Sequence, residues 1–132
     1  VVSGQDYLWN RQGTDFIGEY LGVASFAGDA AQTSVTGVGE AFSGVGPYSL
    51  SYPFYNFSDV LSPTAGVSVA LQGDKGSAGL LVDTGVYKTT LWAFPFEAVS
   101  PAADRAELLE HTLAWCRSGA TEYQIFLPLI EK

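Results

Sequence analysis

Apolar positions recur along this chain in two rhythms, one helical and one strand-like. Val1-Val2 followed by Ser3-Gly4 predicts a strand end and its turn. Phe16, Ile17, Tyr20 and Leu21 recur at helical spacing and share one face, with Thr14 placed to cap and Gly22 to stop a short helix over residues 15–21. From residue 24 to 63 no helical period persists. Pro47, Pro53 and Pro63 cut that region into short pieces, and strands are expected over 34–38 and 48–52. Segments 67–71 and 79–82 flank the turn-like Q-G-D-K-G-S and predict a hairpin. Residues 89–94 are apolar enough for a central strand. Ser100, with Pro101 at the first helical position, starts a helix that runs to about Arg117 and ends at Gly119. Its expected buried stripe is Leu108, Leu109, Thr112, Leu113 and Cys116, with Asp104, Glu107 and His111 on the wet side. The closing apolar segment 123–130 contains Pro128, which suits an edge strand or a packed arm. The chain thus divides into a domain over 1–119 and an apolar tail over 120–132.

Composition narrows the class. A chain of 132 residues is one domain with room for a core, and 47% hydrophobic against 15% charged residues excludes disorder. The formal net charge of −8 counts against nucleic acid, because no basic patch is available to neutralise phosphates, and against an anionic membrane surface. No run approaches the roughly 20 apolar residues of a membrane span. Cys116 is the single cysteine, so an internal disulfide and a cysteine-rich metal site are excluded. The chain lacks methionine and opens on a strand without a signal peptide, so a piece of a larger polypeptide is expected.

Residues that carry chemistry are sparse. His111 is the only histidine and stands four residues after Glu107, the spacing of an ordinary surface pair on a helix. Cys116 falls on the apolar stripe, where a small core residue is expected rather than a nucleophile. No G-x-S-x-G elbow is present. The cluster G-V-G-E-A-F at 37–42 lacks the third glycine of a dinucleotide loop and reads as turns. Asp29, Asp59, Asp74 and Asp83 are scattered without calcium-loop spacing, so no metal and no cofactor are expected. Glu97 follows a buried strand. Its plain role is to answer backbone N–H groups at a turn or helix start. Tyr48, Tyr52, Phe54, Tyr55 and Phe57 crowd one segment. Such rings can stack on sugars or grip a partner, but in a glycine-rich β region core packing is the commoner role. Asn56-Phe57-Ser58 matches the glycosylation sequon.

The order of these motifs resembles a known fold. A strand, the S-G-Q-D-Y-L-W turn, a short helix with Y-L-G-V, a glycine-rich excursion, a hairpin, L-W-A-F-P-F-E-A-V and a helix ending L-L-E-H-T-L-A-W-C are similar to the C-terminal two-thirds of class I glutamine amidotransferase-like domains. The likeness is greatest to divergent versions in large bacterial extracellular proteins. The closing Y-Q-I-F-L-P-L-I-E-K is similar to the C-terminal ends of secreted proteins from filamentous green bacteria.

The resemblance implies an α/β fold: a partial three-layer flavodoxin-like sheet, short of its N-terminal strands and carrying a β-rich insertion. In active members of that family the glycine turn carries a cysteine, and a later strand ends in F-H-P-E. This chain has Gln5 at the first place and Phe94-Pro95-Phe96-Glu97 at the second. Glu97 would orient a histidine that is not there, and Pro95 stands in that histidine's region. An orienting carboxylate without its imidazole has no general-base role.

The resemblance therefore implies a non-catalytic accessory or interaction domain of a secreted or cell-surface protein. Its partners would be the rest of a parent polypeptide, or a second copy paired through an exposed sheet edge. Two other readings stay open. One is a carbohydrate-binding module using Tyr48, Tyr52 and Tyr55. The other is a hydrolase with an unorthodox site at Gln5, Asp6 and Glu97, which requires Asp6 and Glu97 to open into one pocket.

Overall fold

Alternation along two neighbouring strands organises the molecule. The computed structural model describes residues 1–119, so the expected arm over 123–130 lies outside the described residues. In chain order the elements are β1 (Val2–Ser3), α1 (Tyr7–Asn10), α2 (Asp15–Glu19), β2 (Val23–Ala27), β3 (Ser34–Gly37), α3 (Gly39–Phe42) and β4 (Tyr48–Leu50). There follow β5 (Val60–Pro63), β6 (Ser68–Gly73), β7 (Ser77–Asp83), β8 (Lys88–Trp92), a 3-10 turn (Phe96–Ala98), β9 (Val99–Ser100) and α4 (Ala102–Arg117). Seven strands form one sheet in the order β1-β8-β7-β6-β3-β4-β9, and β2 with β5 forms a separate two-stranded sheet. The fold is mixed α/β with few helices.

On β7 and β8 successive side chains point to opposite faces of the sheet. Leu81, Trp92 and Phe94 face one apolar cluster, whereas Leu80, Leu91 and Ala93 face the other. The first cluster is closed by Phe42 of α3 and Leu108 of α4. The second is closed by Leu8 of α1, Ile17 of α2, and Val23 and Leu61 of the small sheet. Both faces of the central strands are thus covered, which is why 89–94 reads as a nearly unbroken apolar run. Each fully buried Leu or Phe contributes roughly 1.5–3 kcal/mol.

Several expectations need correction. Of the six pairings in the large sheet, only β1 with β8 is parallel; the other five are antiparallel. The predicted hairpin is β6–β7. The glycine-rich region is not an insertion beside the sheet, because β3 and β4 pair into it. The 37–42 cluster is not only turns: α3 occupies Gly39–Phe42, which brings Phe42 into the core. Thr14 does stand at the N-cap of α2, but its hydroxyl donates to the Arg11 carbonyl at 2.8 Å instead of capping. Pro101 occupies the N-cap of α4, one position before the helix.

Two helical faces are also turned. On α2, Ile17 and Leu21 are buried, while Phe16 and Tyr20 lie outside and stack on each other at 5.5 Å. On α4, Leu108 and Thr112 are buried, but Leu109 and Leu113 are exposed. His111 turns inward: its ring packs edge-on against Phe42 at 4.7 Å and its Nε2 meets the Ala41 carbonyl at 2.6 Å. Apolar residues occur nearly all round α4, so its rotation is set by the surface that β8 and α3 present. Lys88 of β8 holds it from the C-terminal end, with its ammonium donating to the carbonyls of Trp115 and Ser118 at 3.0 and 2.6 Å.

Candidate functional site

The parallel pair brings the two strand ends singled out by sequence to the same margin of the sheet. Ser3 is in register with Trp92, Gly4 N–H donates to the Trp92 carbonyl at 3.2 Å, and Ser3 Oγ donates to the Phe94 carbonyl at 2.8 Å. Gln5 is not open for chemistry. Its Nε2 donates to the Tyr55 carbonyl at 3.0 Å and its Oε1 accepts from Phe57 N–H at 3.1 Å, so it pins the aromatic segment. Pro95 is buried at the start of the 3-10 turn, and Ala98 N–H donates to its carbonyl at 3.0 Å. Glu97 is exposed on that turn, and its carbonyl rather than its carboxylate meets Arg105.

The aromatic segment separates into two groups. Tyr48 is buried in the core, and burial together with the charge of Glu107 pushes its hydroxyl up to about 12. Tyr52 is half-buried against the same cluster, edge-on to Phe54 at 6.4 Å. Both take the core-packing role that is the commoner one for such a segment. Tyr55 is 82% exposed and stacks on Phe57 at 6.0 Å. Asn56 is occupied as well. Its Nδ2 donates to the Gln32 carbonyl at 2.7 Å, and its Oδ1 accepts from Ser58 N–H and Oγ, so the sequon serves the loop.

Below this segment opens a cleft of about 1240 Å³. The α1–α2 segment forms one wall, with Asp6, Trp9, Asp15 and Glu19. Strand β2 and the turn after it form another, with Phe26 and Asp29, and Phe57 and Asp59 close it. Glu97 is not part of this wall, so Asp6 and Glu97 do not share a pocket.

Asp59 is the unusual member. It is 3% exposed, and its Oδ2 has no hydrogen-bond partner among the described residues. Burial, and then the charges of Asp29 and Asp6, raise its carboxyl to about 7, against a partial pull downward from the Asp29 amide. The backbone holds it there. Asp59 N–H donates to the Ala93 carbonyl at 3.0 Å, and its own carbonyl accepts from Gln32 Nε2 at 2.6 Å. Asp29 and Ala31 on the facing turn adopt positive φ of 57° and 54°, a conformation that costs a non-glycine residue on the order of 1 kcal/mol or more. Ala30 N–H ties that turn to the Ser58 carbonyl at 2.7 Å.

Of the four scattered aspartates, Asp29 and Asp59 converge in this cleft. Asp74 and Asp83 serve other loops, Asp83 in an ion pair with Lys88 at 3.2 Å. Among the described residues no group of three or more His, Cys, Asp or Glu side chains is arranged to hold a metal ion. Nor, among the described residues, is any helix long and apolar enough to cross a membrane. Sequence reasoning missed Trp9, Phe26 and the role of Asp59. The one available local signal was an aspartate directly before Val60-Leu61. Compared with protein-family models, with curated proteins and with solved structures, the chain matches none.

Proposed function

We propose that this chain is a non-catalytic binding domain that takes a small ligand, or a side chain offered by a partner, into the cleft between α1, α2 and β2. The carrying observation is Asp59, a buried carboxylate in the cleft wall with one oxygen left unanswered. A fold that served only itself would gain by pairing or replacing such a group. The exposed ring of Trp9, 70% accessible, and that of Phe57 give the ligand flat apolar surfaces.

Within this reading the chain is a degenerate amidotransferase-like domain of a secreted or cell-surface protein, with a flavodoxin-like ancestry for its sheet. The side-by-side β1 and β8, which set the Gly4-Gln5 turn next to Pro95, support that part, and Gln5's use as a loop clamp supports the loss of chemistry. β1 is a two-residue edge strand, a place where preceding chain or a second copy could add.

The test is a thermal-shift screen of sugars, amines, amino acids and small acids, repeated on Trp9→Ala. A ligand that stabilises the wild type and loses up to about tenfold in affinity in the variant supports the reading. A screen in which nothing binds, or in which binding is unchanged in Trp9→Ala, overturns it.

A further inference from the structure

The cleft is one-sided in charge. Asp6, Asp15, Glu19, Asp29 and Asp59 line it, and among the described residues no lysine or arginine does. Flat rings of Trp9 and Phe57 stand among these carboxylates. Carboxylates interleaved with π faces favour a cation, because both attract positive charge. An acidic ring alone would name no ligand, since such rings also form on solvated surfaces.

Asp59 supplies the independent observation. Its side chain is enclosed, yet Oδ2 meets neither a donor nor a positive group. The Asp29 amide answers part of this carboxylate, and with no further donor at Oδ2 among the described residues the rest is left to a proton or a cation.

Resting on the reading of the cleft as a binding site, we infer that its ligand presents an ammonium or guanidinium nitrogen, which pairs with the carboxylates of Asp59 and Asp29 in the cleft wall between the rings of Trp9 and Phe57. In the free protein the raised carboxyl of Asp59 keeps its proton up to about pH 7. Binding exchanges that proton for the cation: the O–H bond breaks, the proton goes to solvent, and the carboxylate retains the electron pair and the new partner. The ionisable groups that share the cleft with Asp59 are Asp29 and Asp6, which act on it directly, and Asp15 and Glu19 of α2. All are acidic: each attracts an incoming cation, while Asp29 and Asp6 also hold the proton on Asp59 that the cation must displace. A neutral polyol would hydrogen-bond the protonated Asp59 but leave the other carboxylates facing one another.

Calorimetric titration of the full chain tests this. The probes are 1,4-diaminobutane and n-butylguanidine as free cations, blocked lysine and arginine tetrapeptides as chain-borne ones, and glucose as the uncharged control. Cations bind, and about tenfold more weakly at pH 6 than at pH 8, as a group titrating near 7 requires. Runs in two buffers of different ionisation enthalpy show up to one proton released per cation. Asp59→Asn lowers cation affinity at pH 8 by tenfold or more and removes the pH dependence. Asp29→Asn, whose new side chain tolerates the positive φ, lowers affinity without touching the buried position. Tighter binding by the free or by the peptide cations identifies the source, and either supports the inference. Glucose binding in the cleft while the cations fail overturns it and leaves the binding-domain reading standing. If no probe of either kind binds, both readings fall.

Discussion

Asp59 and Asp74 both hold the short stretch Gln32–Ser34, and their carboxylates are answered very differently. Asp74 lies on the exposed β6–β7 turn and accepts from Thr33 N–H at 2.7 Å, from Ser34 N–H at 3.3 Å and from the Thr33 hydroxyl, with Lys75 at 3.4 Å. Those donors hold its carboxyl down near 2 although burial pushes the other way. Asp59 fastens the neighbouring Gln32 through its backbone carbonyl, but its carboxylate is left in a cleft with two other acids pressing on it. The first carboxylate is spent on holding the loop together. The second costs stability at the cleft wall, and that cost is what the proposed binding role rests on. Gln32 joins the two. It is fully buried, and a Cβ at Gly73 would run into its side-chain oxygen, so the end of β6 and the Gln32 side chain are fitted to one another.

Replacing the cleft acid breaks this comparison most severely. A group raised from about 4 to about 7 on folding binds its proton more tightly in the native state. Stability is therefore fully present below about pH 4, falls as pH rises, and levels off above about pH 7. At about 1.4 kcal/mol per unit, the loss across that window is on the order of 4 kcal/mol. Asp59→Asn should remove the slope and leave the protein more stable than wild type at pH 8, by urea unfolding at pH 5 and pH 8. A variant less stable than wild type at pH 8 would show that the carboxylate is satisfied after all.

The loop acid gives a smaller effect of opposite sign. A group lowered on folding contributes stability above its unfolded value near 4, and that contribution is lost as pH falls toward 2. Asp74→Ala should therefore destabilise by about 1 kcal/mol at pH 7 and by clearly less at pH 2. Equal losses at both pH values would mean that the charge-assisted bonds to Thr33 and Ser34 are not its contribution.

The same contrast explains what the sequence could show. Asp74 sits in Q-G-D-K-G-S, a turn recognisable from composition, and the hairpin around it was legible. So was the central strand of Leu91 and Trp92, because a short apolar run is a local signal. Asp59 was not legible as a site, since its enclosure depends on Ala93, Asp29 and Gln32, all distant in the chain. Strands β2 and β5 were missed for a related reason: Val23–Ala27 buries little beyond Val23, and its pairing with Val60–Pro63 spans the whole glycine-rich region. His111 was misplaced because periodicity on α4 cannot say which side meets Phe42. The Gly4-Gln5 turn and the Phe94–Glu97 segment lie at one margin of the sheet, where Gln5 serves as a clamp on the aromatic loop.

The central claim is that Asp59 is a carboxyl held out of its ordinary range in an open cleft. Carbon-13 NMR of the labelled aspartate side chains, titrated from pH 3 to pH 9 without ligand, reads this directly. The account predicts one carboxyl resonance titrating near 7, absent from the Asp59→Asn spectrum. A titration of Asp59 near 4, alongside the ordinary surface aspartates, would contradict it.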